Sequence, residues 1–282
     1  MWQTESKVVA DTLKKAVETR GSQDTGWIMH HVLDSYQLDF APFGVINLPH
    51  IHLFGLDISI TKHVVFMWVA FIFLVVTLRY VANSYRKSLV PRGITNLAEV
   101  LIVFVRDDIV KPTIGKGFEK FIPYLLTIFF FILTCNFLGL IPYGSTATSN
   151  IAVTATLATI SFVVIQVGGM MKNGVIGYFK GLIPHGIPAW LLPIMFIVEI
   201  LGLFTKPFAL AIRLFANMTA GHVVILALLG LIFILHTYFV VPVSISFALF
   251  IFLLEILVAL IQAYIFTMLS SLFIGMAVHQ EH

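Results

Sequence analysis

Charge is what this chain has least of. Of its 282 residues only 11% are Asp, Glu, Lys or Arg, while 59% are hydrophobic. A soluble domain carries about 25% charged residues. There is too little polar surface here to cover a globule in water, so the composition excludes an ordinary soluble domain and requires a membrane. Cysteine is nearly missing too. The single Cys135 lies inside an apolar run, which rules out an intrachain disulfide and reads as a buried, inert thiol. No Walker A glycine loop, zinc helix motif or nucleophile elbow is present, which speaks against a stand-alone enzyme. Residues 1–20 have neither an apolar core nor a small-residue cleavage site, so no secretory signal peptide is read there. His30-His31 and His50-x-His52 have no Cys or carboxylate set nearby, and read as loop residues rather than metal ligands. Nothing implies a cofactor or a nucleic-acid partner.

What is present is length of apolar sequence. The runs are near-continuous over about 20 residues and lack the two-residue alternation of barrel strands, so helices are expected rather than a barrel. Residues 1–20 predict a short amphipathic helix, with Val8, Val9, Leu13 and Val17 opposite Lys14, Lys15 and Glu18. The first span is expected over 64–81, with Arg79, Arg86, Lys87 and Arg92 at its end. By the positive-inside rule the N-terminus then lies outside the cytoplasm and residues 82–120 inside it. Residues 94–113 are apolar but broken by Glu99, Arg106, Asp107, Asp108 and Lys111. They predict an amphipathic helix on the membrane surface or packed on other helices. Further spans are expected over 121–141 and 151–171. Lys172 and Lys180 keep the following loop cytoplasmic.

From 189 onward the chain is apolar for almost 90 residues, and Pro242 after His236 marks the best break. That leaves spans over 189–235 and 242–276. The first would measure roughly 70 Å as one helix, against a hydrocarbon core of about 30 Å. Either it breaks near Thr219-Ala220-Gly221, or it is one long tilted helix. The fold class is therefore all-α and integral to the membrane, with about five spans and one surface helix. A membrane domain of 61–282 follows an N-terminal extension of 1–60.

Within 189–278 only Glu199, Lys206, Arg213 and Glu255 carry formal charge. Arg213 cannot neutralise itself by losing a proton. At bilayer depth it costs about 2.5–3.5 kcal/mol on insertion scales, which marks it as functional. Glu199, Lys206 and Arg213 are spaced seven apart, so on one helix they share a stripe, and Asn217 continues it. Lys206 also suits a snorkelling role. Glu255 and Gln262 are likewise seven apart. With the turn near 238–239, an antiparallel hairpin brings His222 level with Glu255 and Gln262 level with the 213–215 turn. A buried His–carboxylate pair suits proton relay. Arg213 can attract or discharge a carboxylate but cannot itself carry protons.

Around Arg213 the residues become specific. The run Glu199-x6-Lys206-Pro207-x5-Arg213-Leu214-Phe215-x-Asn217-Met218-x-Ala220-Gly221 resembles the subunit a family of F-type ATP synthases. So do Asn136-Phe137-Leu138-Gly139-Leu140-Ile141-Pro142 and Gln262-Ala263-Tyr264-Ile265-Phe266. The resemblance covers about 60–280. It implies a non-catalytic membrane stator that packs against a ring of c subunits, each with a buried carboxylate. It also implies partnership with the peripheral stalk b subunits and the rest of the F1Fo complex. Protons would reach and leave the ring by two offset half-channels, with Arg213 blocking the direct leak. His222 and Glu255 would fall on the inlet side, in the reverse order of the best-known bacterial pattern. Asn217, Gln262 and Asn136 would line the channel, and Glu199 would serve the outlet. The resemblance favours the long-helix option. The expected setting for this multi-pass protein is a bacterial inner membrane, with an organelle-encoded origin as the alternative, and the C-terminus is expected in the cytoplasm. The alternative is a secondary ion-coupled transporter with a midplane charged site. Transporters usually show internal repeats, and none is visible here.

Overall fold

Apolar side chains at every turn, with few polar interruptions, make long helices the dominant element of the computed structural model. It describes residues 34–40, 44–49, 52–53, 56–57, 59–87, 90, 92–141, 144–181, 191–235 and 237–279. The expected helix over 1–20, and His30, His31 and His50, lie outside these residues.

Two short hairpins precede the helices. Strands β1 (Gln37–Phe40) and β2 (Gly44–Asn47) pair antiparallel with Gln37 opposite Asn47, and β3 (His52–Leu53) pairs with β4 (Leu56–Asp57). His52 thus sits in a strand, not in a loop as its spacing suggested. Helix α1 (Lys62–Lys87) follows, then α2 (Ile94–Val103), a π-helical segment (Phe104–Val110) and α3 (Lys111–Ile114). Next come α4 (Ile122–Gly139), α5 (Ile151–Asn173), the short α6 (Val175–Gly181), α7 (Leu192–Leu235) and α8 (Val240–Val278). Five of these helices are long and apolar enough to cross a membrane, in agreement with the all-α reading.

Helix α7 resolves the alternative left by its length. It is one helix of 44 residues, unbroken at Thr219-Ala220-Gly221 and continuous through Pro207. A proline removes one helical N–H and costs about 3 kcal/mol in an exposed soluble helix. Membrane helices tolerate it where neighbouring groups satisfy the freed carbonyl.

The chain divides into two compact units. One comprises the described residues up to Lys62 together with Thr219–Glu255, and the other His63–Met218 with Ile256–His282. In the first, the Lys62 amide donates to the Ser35 carbonyl at 3.0 Å, tying the start of α1 to the strand region.

The second unit holds the main core. Leu125, Ile128, Phe129 and Ile132 of α4 pack with Val105 and Ile109 of the π segment, Leu210 and Leu214 of α7, and Phe266 and Ile274 of α8. The amphipathic stretch 94–114 is helical throughout. It buries Val105, Ile109, Val110 and Ile114 and leaves Ile94, Leu97 and Val100 exposed. Its far end docks on a strip of small residues in α8. Thr113 and Ser271 hydroxyls hydrogen-bond at 2.5 Å, and a Cβ on Gly275 would stand 2.2 Å from the Thr113 carbonyl oxygen. Only glycine fits there. In the π segment Arg106 donates from Nε and Nη2 to Asp107 (2.9 and 2.8 Å), which holds the Asp107 carboxyl below the usual carboxylate range.

Candidate functional site

The polar side chains of the last two helices meet in pairs, and each pair lies inside one unit. In the second unit Asn217 Nδ2 donates to Gln262 Oε1 at 2.9 Å. Lys206 Nζ sits 5.4 Å from the centre of the Phe273 ring. Position 206 facing 273 and position 217 facing 262 are the register of an antiparallel helix pair. Gln262 itself is buried, flanked by buried Ala259, Ala263 and Phe266.

The sequence expectation placed Gln262 level with the 213–215 turn, but its contact is Asn217, one turn further along. The register explains the difference, because 206 opposite 273 puts 217, not the 213–215 turn, opposite 262. Leu210, Ala211, Leu214 and Met218 form the buried side of α7. Thr205, Phe208, Ala209, Ile212, Arg213, Ala216 and Asn217 are exposed. Arg213 stands on that exposed stripe and makes no hydrogen bond or ion pair with any described residue.

Asn136 is fully buried and held at both ends. The Thr148 hydroxyl donates to its Oδ1 at 2.6 Å, and its Nδ2 donates to the Ala259 carbonyl at 3.4 Å. Ala259 lies one turn before Gln262 on α8. The 3-10 turn Ala147–Ser149 brings Thr148 into place. Beside it Ser149 Oγ hydrogen-bonds Nε2 of the buried His63 at 3.2 Å. His63 had no distinguishing spacing and was not a sequence candidate.

In the first unit His222 Nδ1 and Glu255 Oε1 are 2.5 Å apart. The Glu255 side chain is 3% exposed and that of His222 23%. An isolated buried carboxylate is costly, and the imidazole supplies either a hydrogen bond or, when protonated, an opposite charge. The turn at 237–239 is where the hairpin register requires it. A Cβ on Gly221 would lie 2.8 Å from Glu255 Oε1, so glycine at 221 makes the space in which the carboxylate turns to His222.

Glu199 and Lys206 line one cavity of about 390 Å³ in the second unit. Gln166, Tyr178 and His279 complete its polar wall. These three come from α5, α6 and the end of α8. No local motif links them, so only the folded chain brings them together. Burial pushes the Tyr178 phenol above its ordinary value. Among the described residues no group of three His, Cys, Asp or Glu side chains is arranged to hold a metal.

Residues 64–275 match the family described as ATP synthase A chain. The chain is similar to ATP synthase subunit a of Chloroherpeton thalassium, at 56% identity over 90% of this chain and 77% of the relative. Pelodictyon phaeoclathratiforme has a relative of the same name that is 50% identical, over 98% of this chain and 85% of its own length. A third, from Myxococcus xanthus, is 54% identical over 80% of this chain and 75% of its own.

Proposed function

Because the chain belongs to the ATP synthase A chain family, we propose that it conducts protons to and from the carboxylates of a c-ring through two offset half-channels, with Arg213 as the barrier between them. It is a multi-pass membrane component of the F-type complex, and in this reading it makes no ATP itself. The single observation that carries the proposal is the state of Arg213: a permanent cation on the exposed stripe of a long apolar helix, with no acid or acceptor among the described residues.

A guanidinium at membrane depth needs an anion. If this chain does not supply one, a neighbouring chain has to, and a deprotonated ring carboxylate is the partner the family provides. Pairing with Arg213 favours the ionised carboxylate, so a protonated ring site must discharge before it passes. The guanidinium cannot donate its own proton, so it cannot bridge the two half-channels.

His222 and Glu255 serve the inlet half-channel. Each has two accessible protonation states, and their short contact allows a proton to move between them. Asn217, Gln262 and Asn136 line the path, offering donors and acceptors without net charge. Glu199 serves the outlet. The N-terminal region lies outside the cytoplasm and the C-terminus within it, in a bacterial inner membrane. The b subunits hold the chain against the turning ring.

The test is ATP-driven proton pumping and passive proton flux in inverted membrane vesicles carrying the whole complex, wild type against Arg213→Ala. Lost pumping with normal assembly and a raised passive leak supports the barrier role. Normal pumping in that variant removes the proposal.

A further inference from the structure

The cavity that holds Glu199 contains more chemistry than an outlet carboxylate requires. Its wall is apolar apart from Gln166, Tyr178, Glu199, Lys206 and His279. Gln166 Nε2 is buried and has no hydrogen-bond partner in the protein. A buried amide donor at the wall of a roomy polar cavity is satisfied by water held there. The volume of about 390 Å³ is far above the minimum that a bound water needs.

His279 closes the last turn of α8, its amide donating to the Gly275 carbonyl at 2.9 Å. Its Nε2 is 3.2 Å from the Lys116 carbonyl oxygen. A carbonyl only accepts, so Nε2 carries the proton and Nδ1 of the neutral ring is left to take one. Lys206 and Glu199 line the same cavity. Lys116 meets the ring through its backbone. His279 is exposed to solvent at one side and lines the cavity at the other.

We propose that His279 is the proton-exchanging group at the mouth of this cavity, joined to Glu199 by a file of water that Gln166 positions. In the outlet direction the Glu199 carboxyl gives its proton to the water file and returns to carboxylate. His279 Nδ1 takes a proton from the other end of the file, and the imidazolium releases it to bulk solvent. Nothing is consumed, and pumping runs the same steps in reverse. Tyr178, its phenol pushed up by burial, stays protonated and neutral. The inference rests on the assignment of Glu199 to the outlet path.

The test uses the whole complex in inverted vesicles, with His279→Gln as the first variant. Glutamine can still donate to the Lys116 carbonyl but cannot take up a proton near neutrality. The expected result is a several-fold slower ATP-driven acidification with normal assembly. Raising the concentration of an impermeant zwitterionic buffer at constant ionic strength should restore the rate, since the buffer replaces the lost exchanger. A second variant, Gln166→Leu, should slow pumping without being rescued by buffer. A wild-type rate in His279→Gln, or a loss that buffer leaves unchanged, overturns the proposal and leaves His279 as a latch on Lys116. Arg213→Ala in the same assay separates the two readings. If it abolishes pumping while His279→Gln does not slow it, only this inference fails. If it pumps normally, the stator reading falls too.

Discussion

The side-chain amide of Asn217 donates to Gln262 across 2.9 Å, one helical turn from Arg213 on the same exposed stripe. The bond spends the one carbonyl of Gln262 on a neighbour and fixes which way both amides face. Replacing Gln262 by Leu leaves the Asn217 amide without that acceptor and should lower stability by about 0.5–1.5 kcal/mol. Thermal unfolding of the detergent-solubilised complex reads this loss. Pumping in vesicles should fall as well.

His222 and Glu255 form a pair in which the order of the two groups is interchangeable in principle. Single changes, His222→Glu or Glu255→His, place two like groups together and should each suppress pumping. The exchange of both should recover part of it. A coupling of about 1–3 kcal/mol is expected from a double-mutant cycle, a recovery of roughly 5- to 150-fold over the product of the single effects. Additive losses would show that the contact is not functional.

Gly221 faces the same carboxylate. A methyl group there would stand 2.8 Å from Glu255 Oε1, so Gly221→Ala should push the carboxylate off His222 and reduce pumping as strongly as Glu255→Gln. Shortening the acid gives back the space. Gly221→Ala combined with Glu255→Asp should therefore pump faster than Gly221→Ala alone, a sign reversal that general destabilisation would not produce.

Gly275 tests the packing of the surface helix rather than the proton path. Its α-hydrogens face the Thr113 carbonyl, where a Cβ would come within 2.2 Å. Gly275→Ala should cost about 1–3 kcal/mol through overpacking and lower the melting temperature of the complex. Thr113→Val, which removes the hydroxyl bonded to Ser271, should cost less, because the carbonyl contact is unchanged.

Much of this arrangement was legible before any coordinates. The near-continuous apolar runs set the five long helices. Counting outward from the turn near 238 put His222 level with Glu255, since antiparallel helices rise equally per residue. The same count missed the Asn217 partner of Gln262, because the register there runs two residues beyond a count from a turn at 238–239. The hairpins of 37–57 were hidden by strands of two to four residues, too short to show a period. The π-helical segment at 104–110 leaves no compositional mark, as it differs from its neighbours only in hydrogen-bond register. Gln166, Tyr178 and His279 were invisible for a different reason. Each is unremarkable in its own helix, and their meaning comes from a shared cavity.

Cys135 lies in α4, and its burial makes the protein convenient to interrogate. It is the single thiol of the chain and is 2% exposed, beyond the reach of water-borne alkylating reagents. A cysteine introduced at Ala209, Ala216 or Ala220 would therefore be the one reactive label in an otherwise native protein, and the exposed stripe around Arg213 can be mapped residue by residue without first rebuilding the core.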